Sequence, residues 1–203
     1  MILILDLSYR PGSLSADEFV APVARLVQEE GHTSRIRHYT DPDLSAVPAA
    51  DGAILCGTAL KDSWYLDAIE AFAWLPSFPR PVLGICAGMQ VIAKIFGGEI
   101  LPGTGIGMAG QVVVAPDPLF ASRARFDAYE LHGLSVLPPP SFRVLVISPS
   151  GVEAIRHPDR PVYGVMFHPE VRNEWLIRRF LALCGTGGRD TDDLIGKEGE
   201  PGS

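Results

Sequence analysis

The segment PVLGICAGMQVIAKIFGG, residues 81–98, decides the fold of this 203-residue chain. It opens with PVLGIC, a short apolar run suited to a buried strand, and continues directly into MQVIAKIF, a helix pattern that a Gly-Gly pair ends. Gly84, Cys86 and Gly88 form a G-x-C-x-G pattern at this junction. A sharp strand-to-helix turn presents its central side chain at the top of a sheet, and flanking glycines relieve the crowding. The segment therefore predicts Cys86 as an accessible nucleophile.

Strand and helix patterns alternate on the N-terminal side of this segment. Apolar runs at residues 1–7, 34–39 and 52–57 predict strands. Helices are predicted from Ser15, where an S-x-x-E capping box begins, to about Gly31, and from about Ser63 to Leu75. This alternation predicts a three-layer α/β sandwich, in which helices cover both faces of a mostly parallel central sheet.

The C-terminal half has a different pattern. From Gln111 onward, short apolar runs separated by Pro and Gly predict a smaller set of additional strands, some antiparallel: QVVVA, FRVLVIS, VEAIRH and VYGVMFH. A last helix is predicted from about Asn173 to Cys184. Residues 186–203 are polar and Gly-rich, which is typical of a flexible tail. We expect one domain over residues 1–185, followed by that tail.

Composition and charge exclude several classes of protein. The chain is 47% hydrophobic and 20% charged, as in ordinary globular proteins. Its 24 acidic and 17 basic residues give a net charge of -7, and no basic stripe indicates nucleic-acid binding. The apolar start is interrupted by Asp6 and does not resemble a signal peptide, and no apolar run has the length of a membrane span. We expect a cytoplasmic protein without nucleic-acid or membrane partners.

Three cysteines are scattered along the chain without the spacing of a zinc site or a disulfide scaffold. Cys86 lies at the predicted start of a helix, where unpaired N–H groups and the helix dipole favour a thiolate. Cys56 ends an apolar strand and Cys184 lies at the far end of a helix, so both are predicted to be structural. The spacing also fits a simpler interpretation in which Cys86 is another buried core cysteine.

A thiol nucleophile needs a base, and that base needs an orienting group. His168 ends the run VYGVMFH, and Glu170 follows two residues later, on the same face if the chain stays extended. The other histidines considered, His32, His38 and His157, lie in polar segments. Taken alone, an H-x-E pattern also fits an exposed strand end or a metal pair, although no third metal ligand is evident.

Two motifs carry a specific resemblance. GICAGMQ at residues 84–90 and YGVMFHPEV at residues 163–171 resemble the class I, or triad-type, glutamine amidotransferases, and the similarity runs from the first strand to about Cys184. The resemblance implies the flavodoxin-like fold of that family. It implies that Cys86 attacks the side-chain amide of glutamine, while a histidine transfers protons and a glutamate orients it. These would be His168 and Glu170.

The same resemblance implies a product and a partner. Ammonia is released from glutamine through a thioester, and since this chain holds no second domain to use it, a separate synthase subunit is expected to accept it. No cofactor is implied. The resemblance also implies an oxyanion hole and a substrate pocket, with these residues: Gly57, Thr58 and Ala87 for the oxyanion, and Gln90, Leu131 and His132 for the substrate.

The pocket departs from the family at two places. The family commonly has two glycines and a proline at the oxyanion loop, where this chain has Gly57, Thr58 and Ala59. It often has S-H-x-D where this chain reads LHGL, so the serine and the aspartate, the latter at Leu134, are replaced. A γ-glutamyl hydrolase on the same scaffold and a catalytically degenerate module that binds glutamine or a partner therefore remain alternatives. The G-x-G-x-x-G match at residues 105–110 precedes a strand pattern, not a helix, and does not predict nucleotide binding.

Overall fold

The computed structural model describes residues 1–42, 44 and 49–185. Within them, nine strands, β1 to β9, span Ile2–Asp6, Ser34–His38, Gly52–Leu55, Val82–Ile85, Glu99–Val113, Arg125–Leu137, Arg143–Ser148, Gly151–Arg156 and Val162–Val165. Four α-helices, α1 to α4, span Ala21–Glu29, Trp64–Asp67, Ala87–Ile95 and Glu174–Gly185. The predicted tail at 186–203 lies outside the described residues.

All nine strands form one sheet in the order β2-β1-β3-β4-β9-β8-β7-β5-β6. The pairs from β2 to β9 are parallel. The pairs from β9 to β6 are antiparallel. The mixed sheet, with a parallel half and an antiparallel half, confirms the predicted class.

Helices cover both faces of the parallel half. Every residue of β1, β3, β4 and β9 is buried, as expected for strands enclosed on two sides. From β1 the chain crosses to β2, at one edge of the sheet, whereas from β3 it crosses in the opposite direction, to β4 and later to β9. Right-handed crossovers in opposite directions put α1 and α3 on opposite faces of the sheet. α4 packs on α1, and α3 packs on the segment 64–77, which completes the three layers.

Two helix predictions are wrong in detail. The helix predicted over residues 63–75 is only the four-residue α2, followed by 3₁₀ turns at Ile69–Phe72 and Leu75–Ser77. The helical ladder is interrupted because Ala68 has φ -109° and ψ 35°. The predicted capping box at Ser15 makes no side-chain cap. Ser15 is itself helical (φ -61°, ψ -28°) and precedes a π-helical turn, whereas a capping residue needs an extended conformation.

The antiparallel half contains two strands that are longer than the sequence predicts. β5 begins at Glu99 rather than Gln111, and the apolar runs do not predict β6. The LPGTGIG stretch in β5 disfavours a strand pattern, and a register shift between Pro102 and Gly105 accommodates it. The G-x-G-x-x-G match lies inside β5, as its context predicted.

No helix among the described residues is long and apolar enough to cross a membrane.

Candidate active site

The candidate site lies beyond the carboxyl ends of three adjacent parallel strands. Gly57 follows β3, Cys86 follows β4, and His168 follows β9. Ligands of open α/β sheets bind at this edge because the loops there converge. The sheet order thus brings together residues that are more than 100 positions apart in the chain.

Cys86 lies at a strained turn. It has φ 48° and ψ -103° and is, with Ala121, one of two non-glycine residues with positive φ in the described part of the chain. A Cβ on Gly84 would lie 2.4 Å from the backbone of Gly88, and a Cβ on Gly88 would lie 2.3 Å from the carbonyl oxygen of Leu55. Gly84 is therefore required for β4 and α3 to meet so closely, and Gly88 is required for the start of α3 to lie against the end of β3. The predicted nucleophile elbow is present.

The surroundings of Cys86 differ from those of the other cysteines. Its Sγ lies 3.6 Å from the carbonyl oxygen of Leu131, to which the thiol donates. It is the cap residue of α3, so the unpaired N–H of Ala87 lies directly beside it. Burial raises the pKa of Cys56 well above its usual value, and burial raises the pKa of Cys184 to about 12. Both therefore stay protonated thiols at neutral pH.

His168 and Glu170 form a buried pair. The distance from His168 Nδ1 to Glu170 Oε1 is 2.7 Å, and neither side chain is more than 1% exposed. Burial alone would lower the pKa of His168, but the charge of Glu170, together with Cys86, raises it well above its usual value. The pair is held by a turn in which Val171 N–H donates to the His168 carbonyl, not by a continued strand as the sequence suggested.

Gly57 lies between His168 and Cys86. A Cβ there would lie 2.6 Å from His168 Cε1 and 3.6 Å from Cys86 Cβ, so only glycine leaves room for the imidazole. With Nδ1 committed to Glu170, Nε2 is the free ring atom, and it has no hydrogen-bond partner among the described residues. This arrangement leaves one imidazole nitrogen for proton transfer.

Phe19 is a neighbour that the sequence did not assign to the site. Its ring centroid lies 5.4 Å from that of His168, at an interplanar angle of 48°. It projects from the π-helical turn Ala16–Val20 and is buried. Helical spacing predicts Phe19 as a core residue, which is correct, but it carries no signal for contact with a base more than 100 positions away.

A cavity of roughly 230 Å³ opens beside Cys86. This is smaller than the pockets that take drug-sized ligands, and suits a ligand of amino-acid size. Its walls come from the loop after β3, from the start of α3 and from the middle of β6. The lining residues are Thr58, Ala59, Leu60, Lys61, Asp62, Ser63, Tyr65, Cys86, Ala87, Gln90, Leu131, His132, Gly133 and Leu134.

The predicted pocket residues are in this cavity, with one exception and one qualification. Gly57 borders His168 instead of lining the cavity. Gln90 is buried, and its amide already accepts from Tyr65 Oη (2.5 Å) and donates to the Leu134 carbonyl (3.4 Å). It therefore fixes the cavity wall. Tyr65 belongs to a helix that sequence patterns predicted but did not connect with the site.

His132 belongs to a buried cluster with Glu130 and Glu153. Its Nδ1 lies 3.2 Å from the Gly103 carbonyl oxygen and donates to it, so its Nε2 faces Glu130 Oε2 at 3.8 Å and Glu153 Oε1 at 3.9 Å. Within the described residues this is the set that could coordinate a metal ion, with ligand atoms within 4.8 Å of one another. Burial, reinforced by Glu130, raises the pKa of Glu153 to about 8. Glu153 is therefore protonated at neutral pH, and this proton can be shared with Glu130 and with His132 Nε2.

A protein-family comparison decides the assignment. The family model described as glutamine amidotransferase class-I matches residues 15–182. The chain belongs to the class I glutamine amidotransferases. Both the predicted family and the predicted type of enzyme are confirmed.

Two curated relatives of this amidotransferase share one name. The glutamine-hydrolysing GMP synthase subunit of Pyrococcus abyssi is 32% identical over 197 residues, which cover 91% of this chain and 99% of the relative. That of Pyrococcus furiosus is 37% identical over 196 residues, with the same coverage. A crystal structure described as a putative GMP synthase subunit from Thermoplasma acidophilum has a TM-score of 0.78 at 24% identity, and covers 90% of this chain and 92% of that one. This structural likeness shows the fold.

Proposed function

We propose that this amidotransferase is the glutamine-hydrolysing subunit of a GMP synthase and supplies ammonia to a separate synthase chain. The relatives of that subunit name from Pyrococcus abyssi and Pyrococcus furiosus are each matched over 99% of their length, which supports an equivalent role for this chain. The observation that carries the proposal is the strained Cys86 beside the buried His168–Glu170 pair.

The proposed reaction begins at Cys86. Its thiolate attacks the side-chain carbonyl carbon of glutamine, the C–N bond breaks, and His168 donates a proton to the departing ammonia. Water then attacks the thioester, His168 takes its proton, and glutamate leaves as the thiol is restored. Glu170 holds the imidazole in one tautomer and stabilises its charged form through the 2.7 Å contact.

The proposed oxyanion hole consists of the N–H groups of Ala87 and Thr58, next to Gly57. Donors of this kind each contribute on the order of 3 kcal/mol to the transition state. A threonine cannot easily adopt a positive φ, and Thr58 has a negative one. Its side chain instead donates to Asp62 Oδ2 at 2.9 Å, which fixes the loop. This supports a working site over a degenerate one.

The domain boundary and the location belong to the same proposal. We infer a single catalytic domain over residues 1–185, because the family match and the last helix both end near its limit. We also infer a cytoplasmic location. Three free cysteines and a thiolate-dependent reaction both need a reducing compartment.

The first test is labelling with a diazoketone analogue of glutamine, followed by peptide mass spectrometry. We expect modification of Cys86 but not of Cys56 or Cys184, and loss of labelling in Cys86→Ala. The matched control is Cys56→Ser, which should label like the wild type. Equal labelling of all three cysteines, or none at all, would contradict the proposed chemistry.

The second test separates the synthase subunit from a γ-glutamyl hydrolase. Ammonia release from glutamine is measured with the chain alone and with a GMP synthase-type synthase chain. Stimulation by the synthase supports the proposal. High activity on γ-glutamyl peptides without a partner would replace it with the hydrolase alternative.

A further inference from the structure

We propose that Asp62 is the binding group for the α-ammonium of glutamine. The inference rests on the proposed function, since it concerns how the same cavity recognises its substrate. It assigns the recognition of charge to the loop after β3, although the family resemblance pointed to β6.

The charge distribution in the cavity gives the first support. Among the described lining residues, Lys61 is the one lysine or arginine and Asp62 the one carboxylate, and burial lowers the pKa of His132. Leu131 and Leu134 occupy the β6 positions where the family often has a serine and an aspartate. A free amino acid presents one positive and one negative group, and a buried charge needs an opposite partner. Asp62 is therefore the lining carboxylate that can pair with the ammonium group.

The state of the Asp62 carboxylate gives the second support. Its Oδ2 accepts a hydrogen bond from Thr58 Oγ1 at 2.9 Å, while its Oδ1 is shielded from solvent and has no hydrogen-bond partner among the described residues. An unpaired carboxylate oxygen out of water is costly, and an ammonium would satisfy it. Asp62 lines the cavity, and the torsion about its Cβ–Cγ bond is broad, so a bound ammonium can select the carboxylate orientation that pairs with it.

The position of Asp62 relative to the reacting thiol gives the third support. The Asp62 N–H donates to the Ala59 carbonyl at 2.8 Å, and this turn holds the carboxylate against Thr58, the proposed oxyanion residue. Tyr65 lines the same cavity as Cys86 and Asp62, and its Oη donates to Gln90 in the cavity wall. The proposed ammonium group and the scissile amide therefore lie at two ends of one small cavity.

The test compares a glutamine-directed reagent with an undirected one on the full chain. Alkylation of Cys86 by the diazoketone analogue of glutamine, which keeps the α-amino group, is compared with alkylation by iodoacetamide. For Asp62→Asn we expect about a 10- to 100-fold lower second-order rate with the diazoketone, the size of one lost charge-assisted contact. The iodoacetamide rate should stay within about twofold, because the thiol itself is unchanged.

The matched control is Asp67→Asn, since Asp67 is an exposed carboxylate five positions further on that does not line the cavity. It should react like the wild type with both reagents. A second measurement uses glutaric acid monoamide, which is glutamine without its α-amino group. The wild type should release ammonia from it less efficiently than from glutamine, and Asp62→Asn should lose most of that preference.

The possible outcomes are distinct. Wild type that reacts with iodoacetamide but not with the diazoketone overturns the proposed function and this inference together. Wild type that reacts with both, while Asp62→Asn keeps the full diazoketone rate, overturns the role of Asp62 alone. If circular dichroism shows that Asp62→Asn misfolds, Asp62→Ser takes its place. The wild type alone also tests the inference: if it releases ammonia from the monoamide as efficiently as from glutamine, the inference is overturned.

Discussion

Replacing Gly84 by Ala tests whether the elbow needs its glycines. The added Cβ would lie 2.4 Å from both the carbon and the oxygen of the Gly88 carbonyl, and 2.7 Å from Ile92 Cδ1. The isoleucine can rotate away, but the backbone of α3 has to move. Overpacking of a core costs about 1–3 kcal/mol, and we expect about 3 kcal/mol because the contact is backbone to backbone. In a chain of this size, that lowers the melting temperature by roughly 6–12 °C.

The measurement is urea unfolding of the wild type and of Gly84→Ala, together with the rate at which Cys86 reacts with the glutamine diazoketone. Because the clash pushes α3 away from β4, both stability and reactivity should fall. Gly110→Ala is the control, since a Cβ on Gly110 meets only Asp127 Oδ1, at 3.9 Å. It should change stability by less than about 0.5 kcal/mol.

One result would refute this reasoning. If Gly84→Ala unfolds within about 1 kcal/mol of the wild type and labels at the same rate, the close contact between β4 and α3 is not required. Strain at Cys86 would then have no part in its reactivity.

Two further predictions concern protonation. In Glu170→Gln, loss of the carboxylate lowers the pKa of His168, so the high-pH limit of kcat/KM, at which the imidazolium proton is lost, should move to lower pH in a pH–rate profile; an unmoved limit would contradict the role of Glu170. The pKa of Glu153 is about 8 in the fold, against an ordinary value of 4.5, so the folded chain binds more protons between these values and its stability should fall as pH rises through them. Glu153→Gln should remove that slope, worth roughly 3–4 kcal/mol, in urea unfolding from about pH 5 to about pH 8; a slope equal to that of the wild type would contradict it.

The parallel half of the sheet was predictable because its strands are buried on both faces. β1, β3 and β4 appear in the sequence as unbroken apolar runs, and burial on both faces produces that pattern. The elbow was predictable for a different reason. Only glycine fits at two positions around Cys86, so the spacing itself records the contact.

The remainder depends on contacts that no local pattern records. β6 alternates buried and half-exposed residues and gives no unbroken apolar run, although its middle forms a wall of the cavity. The sequence around Asp62 gives no sign that this carboxylate lines a cavity. The opposite wall of that cavity includes Leu131 and Leu134, which lie some 70 positions later in the chain. The resemblance supplied the triad, but the packing of Phe19 on His168 required coordinates.

The backbone of β6 adds a consequence for folding. The His168 N–H donates to the Tyr129 carbonyl at 2.8 Å, and the Cys86 thiol donates to the Leu131 carbonyl, so one strand at the far edge of the sheet contacts both members of the reacting pair. These contacts join distant parts of the chain, and contacts of large sequence separation are slow to form. The surroundings of Cys86 are complete only when β6 has paired in the sheet. We therefore expect the alkylation rate of Cys86 to differ between the folded and the unfolded chain, so that this rate reports folding.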